Sequence, residues 1–243
     1  GPQLAGVAEA PADDEAWAAI FDWDRPVGVH VEEPEAQSGG LVPEAHGLRR
    51  AWLAQAPPGH GPGDFASLDI VSVVDVAGVS DVLGPLLARS TVVCHDFKSS
   101  AVLQSLADRA GHDTYLAAYL LAPGKREYPL VDAARESALQ TPACAPGDEG
   151  AASVAVTLAV ADLQERSLRE QGMWDLLREI ELPLTGVLIA MERAGIYLDC
   201  YRLGEITGKI QDQLDELETL IYECAGETFN LGSPQQLGHV LFD

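Results

Sequence analysis

The last part of the chain reads Glu181-Leu-Pro-Leu184, Met191-Glu-Arg-Ala-Gly-Ile-Tyr-Leu-Asp199, Phe229-Asn-Leu-Gly-Ser-Pro-Gln-Gln-Leu237 and Val240-Leu-Phe-Asp243. Between Asp199 and Phe229, apolar residues recur at steps of four or three, which predicts a long helix with one apolar seam. The residues of that seam are Ile206, Ile210, Leu214, Leu217, Ile221 and Cys224. This stretch therefore predicts helical structure throughout the end of the chain.

The residues just before the long helix also indicate helix boundaries. Positions 174–194 predict a helix that is interrupted near Pro183 and carries an apolar stripe. Gly195 is expected to close this helix in a left-handed conformation, and Asp199 is expected to cap the next one. The residues of the predicted stripe are Leu184, Val187, Leu188 and Met191.

The first half of the chain has a different pattern, with strands preceding helices. A short helix is predicted over 11–24, and strands are predicted over 27–32, 48–53, 68–76 and 91–94. Further helices are predicted over 81–89, 99–110, 113–121, 130–138 and 151–170. Strands followed mainly by helices indicate an α/β or α+β domain.

Composition restricts the function. The chain has 243 residues, of which 47% are hydrophobic, and its formal net charge is −23. This charge argues against independent tight binding to nucleic acid, because phosphate contacts dominate such affinity. No apolar run approaches the roughly 20 residues of a membrane span, and we expect no signal peptide. The four cysteines form no Cys-x-x-Cys pair, which fits a reducing cytoplasm.

The motifs quoted at the start resemble family A DNA polymerases, the bacterial DNA polymerase I family. There, Glu-x-Pro-Leu, Met-Glu-x-x-Gly and Phe-Asn-x-x-Ser-x-x-Gln-Leu join a 3′–5′ exonuclease domain to the thumb. The resemblance implies an α/β fold: a ribonuclease-H-like exonuclease domain, with a mixed sheet flanked by helices, over residues 1–172. A helical linker at the base of the palm would follow over 173–198. The first part of the thumb would occupy 199–243.

The resemblance also implies where an exonuclease site would lie. Family members carry Asp-x-Glu on a strand, then Asn-x-x-x-Asp, then Tyr-x-x-x-Asp on a helix, and these four carboxylates hold two divalent metals about 4 Å apart. Here Glu32 matches, but His30 stands at the first Asp position. In Cys94-His-Asp-Phe-Lys-Ser-Ser100, Lys98 matches and Ser100 replaces the metal-binding Asp. The position of the last family acid aligns with Ser153 or a residue beside it, and none of these is acidic. We therefore expect an inactive exonuclease domain without catalytic residues or bound metal.

Other interpretations of these residues stay open. His30, Glu32 and His95 could form an unconventional metal site, with Asp96 or Glu33 as a substitute acid. A nuclease with such ligands is one alternative function, and a non-catalytic protein-interaction module built on the exonuclease fold is another. Asp113 could face a metal, but an Asp before Thr at a helix start is more simply a helix cap.

The thumb segment supplies the candidate DNA contacts. The resemblance implies that Phe229 anchors a loop and that the polar side chains of Asn230, Ser233 and Gln236 face the DNA backbone. Ser233 followed by Pro234 also forms a good helix start, so capping alone is the other interpretation of Ser233.

The resemblance further implies a chain that stops within the thumb and lacks the palm and fingers. We expect a monomeric fragment whose partners are primer-template DNA and the remainder of the polymerase, with no membrane contact. The implied location is cytoplasmic, on the nucleoid in the intact enzyme. No cofactor is expected for this chain, although the intact polymerase would use Mg²⁺.

Overall fold

Six strands form one mixed sheet in the part of the chain that the structure, a computed structural model, describes: residues 2–4, 6–11, 14–32, 50–74 and 90–242. The strands are β1 (Val7–Glu9), β2 (Val27–Glu32), β3 (Arg50–Gln55), β4 (Asp69–Val74), β5 (Val92–Cys94) and β6 (Ala110–Asp113). Their order is β1-β4-β3-β2-β5-β6. The β2–β3 and β3–β4 pairs are antiparallel, whereas the β1–β4, β2–β5 and β5–β6 pairs are parallel. This mixed α/β architecture confirms the predicted fold class at that level.

The helices and the sheet belong to two compact units, Gly1–Arg193 and Ala194–Asp243. The first unit contains α1 (Asp14–Ile20), α2 (Ala101–Ser105), α3 (Thr114–Leu121), α4 (Leu130–Glu136), α5 (Glu149–Glu170) and α6 (Trp174–Leu176). A π-helical turn (Leu177–Glu181) leads into α7 (Leu182–Ala194). The second unit contains α8 (Cys200–Ala225) and α9 (Pro234–Phe242). The three-part division by function at residues 172 and 198 stays a prediction.

Alternation along β2 separates the two faces of the sheet. Successive side chains of a strand point to opposite faces, and Val27 and Val29 are buried in a cluster with Trp17, Phe21 and Phe97. On the other face, Trp52 and Ile70 pack with Val154 and Ala155 of α5. The sheet is therefore covered on both faces, with α5 across one of them.

Several predicted elements appear with small changes, and two strands were missed. The strand predicted over 48–53 is Arg50–Gln55, and the helix predicted over 99–110 is limited to α2 and a 3₁₀ turn, Ala107–Arg109. The next residues form β6 at the sheet edge, although the sequence indicated only helices from Phe97 onward. β1 was also not predicted. The helix predicted over 81–89 lies outside the described residues.

The linker helix is interrupted near Pro183, and its apolar stripe is not the face that it buries. The predicted interruption near Pro183 is the π-helical turn that immediately precedes α7, which fits a residue that cannot donate a backbone hydrogen bond. Leu182, Thr185 and Ile189 are its buried residues, and none of them belongs to the predicted apolar stripe. All four stripe residues are exposed because the first unit packs against the neighbouring face.

The caps of the second unit follow the sequence signals. Asp199 Oδ1 accepts a hydrogen bond from Arg202 N at 2.9 Å, and Gly195 and Gly226 have φ values of 67° and 77°. No residue of α8 or α9 is buried in the described part of this unit, so the apolar seam from Ile206 to Cys224 lies exposed. The expected core anchor, Phe229, is only half-buried. Its ring lies 5.8 Å from that of Tyr222.

A single carboxylate organises the turn between β5 and α2. Asp113 is 1% exposed, and its oxygens accept hydrogen bonds from Asp96 N and Phe97 N, both at 3.0 Å. It also accepts from Tyr115 N at 2.9 Å, which confirms its predicted role as the cap of α3. One side chain thus satisfies backbone donors from two separate segments.

We predict that Asp113→Ala lowers the free energy of unfolding by about 3 kcal/mol, because several buried N–H groups lose their acceptor together. Ser100→Ala is the matched control: Ser100 is also buried but accepts only one backbone bond, from Leu103 N at 3.1 Å. Its expected cost is about 1 kcal/mol. Urea denaturation of the two variants measures the difference. Equal losses would contradict the organising role of Asp113.

Candidate functional site

The candidate exonuclease positions on β2 lie on the face of the sheet that α5 covers. Gly28, His30 and Glu32 share one face of β2, since they alternate with the buried valines. A Cβ atom on Gly28 would lie 2.8 Å from Leu158 Cγ, which identifies this face as the one covered by α5. His30 is half-buried and Glu32 is exposed. Two of the candidate positions, His30 and Glu32, therefore share one face of the sheet.

Trp52 fills the space beside His30. The two residues are directly opposite each other in the β2–β3 register, and their ring centroids are 6.0 Å apart. The indole is completely buried. A Cβ atom on Gly150, in the first turn of α5, would overlap the Trp52 ring, so only glycine fits there without rearrangement. An aromatic ring thus occupies the layer between this strand and the helix.

Arg50 completes the aromatic cluster. Its guanidinium carbon lies 5.5 Å from the centroid of Trp52, within the range of a cation–π interaction. The same side chain donates from Nη1 to Gly147 O at 2.9 Å. Trp52 Nε1 finds no hydrogen-bond partner among the described residues. Arg50, Trp52 and Gly150 could not be identified from the sequence, because nothing in one sequence shows which strand pairs with which.

The two histidines near this face are held neutral. Burial, together with the nearby His95, lowers the pKa of His30 to about 4. Burial also lowers the pKa of His95, although Asp96 opposes that effect. The Nδ1 atom of His95 lies 2.8 Å from the Thr114 hydroxyl oxygen. The structure therefore brings His30 and His95 near each other, as neutral rings.

The remaining acids do not complete a metal site. The carboxylate oxygens of Asp113 already accept hydrogen bonds from backbone N–H groups. Burial raises the pKa of Asp113 to about 6 despite those hydrogen bonds. Asp96 has a φ of 61° and accepts from Lys98 N at 2.9 Å, which makes it a turn residue. No three His, Cys, Asp or Glu side chains gather as metal ligands within the described ranges, and Glu33 lies outside them.

Both serines at acid positions make local hydrogen bonds. Ser100 is buried and caps α2 by accepting from Leu103 N. Ser153 donates to Glu149 O at 3.0 Å within α5. It also lines a cleft between α4 and α5 together with Cys144 and Val156. The Ser100 hydroxyl therefore caps the start of α2, and the Ser153 hydroxyl forms a hydrogen bond within α5.

The candidate DNA-contact residues lie in one loop of the second unit, which is held by hydrogen bonds between its own residues. Asn230 Oδ1 accepts from Gly232 N at 2.9 Å, and Gln236 Oε1 accepts from Asn230 N at 2.8 Å. Ser233 Oγ accepts from Gln236 N at 3.4 Å, consistent with the predicted helix start. The structure thus brings all three residues together, with Asn230 and Gln236 exposed.

Sequence comparison places the chain among known proteins. DNA polymerase I from Synechocystis sp. is 31% identical over 250 residues, which cover 91% of this chain. DNA polymerase I from Mycobacterium tuberculosis is 38% identical over 267 residues, which cover 89% of this chain. DNA polymerase I from Geobacillus stearothermophilus is 46% identical over 76 residues. The chain belongs to the DNA polymerase I family. It spans 25% and 29% of the Synechocystis and M. tuberculosis polymerases.

A solved structure agrees with the fold of this family member. The POL domain of Pol1 from M. smegmatis, in complex with DNA primer-template and dNTP, matches with a TM-score of 0.71. The match covers 98% of this chain and 40% of that chain at 23% identity, so it bears on the fold alone. No protein-family model matches the chain. Among the described residues, no helix is both long enough and apolar enough to cross a bilayer.

We predict that His30 stays neutral in the folded protein down to about pH 4. The unfolded chain binds a proton below pH 6.5 and the folded chain does not, so His30 makes stability fall as pH falls through this window. His30→Gln removes that loss. The unfolding free energy of the variant, relative to the unchanged protein, should improve by about 2 kcal/mol between pH 7 and pH 4.5. Urea denaturation measures the unfolding free energies of the two proteins. If their difference does not change with pH, His30 does not have a lowered pKa in the folded protein.

Proposed function

We propose that this chain is part of a bacterial DNA polymerase I that carries an inactive 3′–5′ exonuclease domain. Residues 1–172 are this domain, with a ribonuclease-H-like fold, 173–198 are the linker at the palm base, and 199–243 begin the thumb. Family membership supports the polymerase assignment. A mixed sheet flanked by helices is the architecture that the exonuclease assignment requires.

The observation that best supports an inactive exonuclease domain is the lack of carboxylates at the family's metal-binding positions. His30, Ser100 and Ser153 stand where the resemblance implies acids, and only Glu32 keeps an acid at its position. Mg²⁺ requires oxygen ligands in near-octahedral geometry and gives up its water reluctantly. One exposed carboxylate beside a neutral imidazole and an indole ring does not fit two such ions.

The surroundings of the site support a structural role. Placing a divalent ion beside the fully buried Trp52 would cost far more than leaving that layer apolar, since an unpaired charge is disfavoured in an apolar setting. Ser100 and Asp113 hold backbone groups. These residues therefore maintain the fold where family members would bind metal.

Polymerisation itself belongs to the intact protein. The resemblance implies palm and fingers with an Mg²⁺ site of their own, primer-template DNA as substrate, and action on the nucleoid in the cytoplasm. The M. smegmatis Pol1 POL domain was solved with DNA primer-template and dNTP, which supports this substrate class by analogy.

We predict that the purified chain releases no nucleotides from a 3′-labelled primer with Mg²⁺ or Mn²⁺, because the residues present cannot hold the metal pair. Glu32→Ala is the companion variant. If both proteins release nucleotides only at the same background rate, the exonuclease domain is inactive. Degradation by the unchanged chain that Glu32→Ala abolishes would instead establish a nuclease with unconventional ligands, drawn from His30, Glu32 and His95 or Asp96.

The loop before α9 is the proposed DNA contact of the thumb. Its internal hydrogen bonds fix Asn230 and Gln236 at an exposed helix start. A helix N-terminus presents free N–H groups, which suit a phosphate. Polar side chains of this kind position a protein on the backbone of DNA without reading its sequence.

We predict that Gln236→Ala in the intact polymerase weakens primer-template affinity about tenfold, the effect of one hydrogen bond to a charged group. The adjacent Gln235→Ala is the matched control, because Gln235 is also exposed on α9 but takes no part in the loop hydrogen bonds. Fluorescence anisotropy measures affinity, and thermal melting detects loop damage. Unchanged affinity for Gln236→Ala and Asn230→Ala would exclude this contact.

A further inference from the structure

A cleft with a volume of about 450 Å³ lies in the first unit, between α5 and the starts of β2 and β5. Pro26 and Thr91, the residues just before these two strands, line it, and Leu158 of α5 adds an apolar wall. The candidate exonuclease positions lie toward the other end of β2. A cleft of this size, separate from those positions, suits a small organic ligand.

Two arginines are held near the indole of Trp174, and all three side chains line the cleft. The guanidinium carbons of Arg169 and Arg178 lie 4.5 Å and 5.9 Å from the ring centroid. A guanidinium held over an aromatic ring keeps its N–H donors at its own edge, where they can bind an oxyanion. Among the described residues, Arg178 forms no hydrogen bond or ion pair. Its donors therefore provide a position for a phosphate group.

Two carboxylates line the same cleft and restrict which anions suit it. Glu165 Oε1 accepts from Arg169 Nε at 2.9 Å and from Arg169 Nη2 at 2.7 Å. Asp162 Oδ2 accepts from Arg166 Nη2 at 2.7 Å. Each acid uses one oxygen in these bonds, so the other oxygen can accept from an N–H group of a ligand. A ligand with both a phosphate and N–H donors therefore suits the cleft better than a bare anion.

His112 gives the cleft a neutral aromatic wall with one tautomer. Its ring is 4% exposed, and burial lowers its pKa. Gln164 Nε2 donates to Thr114 O at 3.0 Å, so Gln164 Oε1 is the atom that faces His112 Nε2, also at 3.0 Å. Nε2 must therefore carry the proton, and Nδ1 is an acceptor. The imidazole also stacks on Trp174, with ring centroids 6.0 Å apart.

We propose that this cleft binds a nucleoside monophosphate, with the phosphate at Arg178 and the base against the apolar wall, beside the carboxylates of Asp162 and Glu165. A guanidinium binds phosphate through charge-assisted hydrogen bonds. Apolar and aromatic walls suit a flat ring, and a carboxylate oxygen accepts from the amino group of a base. The inference concerns the first unit alone and does not rest on the proposed function.

Isothermal titration calorimetry of the 243-residue chain with dAMP tests the site. We expect saturable binding with a dissociation constant on the order of 0.1 mM. Deoxyadenosine, which lacks the phosphate, and inorganic phosphate, which lacks the base, should each bind at least about tenfold more weakly. In proton–nitrogen NMR spectra, dAMP should shift the indole signal of Trp174, assigned with Trp174→Phe. The signal of the fully buried Trp52 should not move.

Arg178→Gln should weaken dAMP binding about tenfold, the effect of one hydrogen bond to a charged group. Arg126→Gln is the matched control. Arg126 is also an exposed arginine of the first unit, but it does not line the cleft. Both variants remove one positive charge from the surface, and thermal melting checks that both remain folded. The control should bind dAMP as the unchanged chain does.

Three outcomes would overturn the proposal. If Arg126→Gln weakens binding as much as Arg178→Gln, the affinity reflects net charge and not this cleft. If inorganic phosphate binds as tightly as dAMP, the base has no site. If binding does not saturate by about 10 mM dAMP, or if the Trp174 signal does not shift, the cleft is not a nucleotide site.

Discussion

The indole of Trp52 is the packing constraint on which the α5 face of the sheet depends. A ring of this size between β3 and α5 permits only glycine at position 150. It also supplies one wall of the partly buried site that keeps His30 neutral, opposite it in the strand register. Interiors are close-packed, so any further group could enter this layer only if that ring moved. The aromatic layer is therefore consistent with the proposal of an inactive exonuclease domain.

Local signals in the sequence were sufficient for much of the fold. The alternation of β2 and the caps at Asp113 and Asp199 depend on neighbours in the chain, and they were predicted correctly. β6 was missed because Ala110-Gly-His-Asp113 is short, and its strand character comes from pairing with β5. The buried face of α7 and the Trp52 cluster were missed for the same reason. Both depend on contacts between distant segments, which a single sequence does not reveal.

The second unit shows a different relation between sequence and site. Asn230, Ser233 and Gln236 were nominated from a resemblance, and their contacts with one another lie within seven consecutive residues. A loop that is ordered by its own side chains loses little further freedom when a ligand binds. Such a loop is suited to a repeated, sequence-independent contact, although the bonding oxygens of Asn230 and Gln236 already have backbone partners.

The opposite pKa shifts of His30 and Asp113 have a joint effect on the proton balance of folding. Near pH 5, folding makes His30 give up a proton, since its pKa falls to about 4. Folding makes Asp113 gain one, since its pKa rises to about 6. The net exchange with solvent is close to zero for this pair, as though one proton passed from the imidazole to the carboxyl group. Near pH 5 the stability that His30 loses on acidification is therefore offset by the stability that Asp113 gains, and the two groups together leave the free energy of unfolding almost independent of pH.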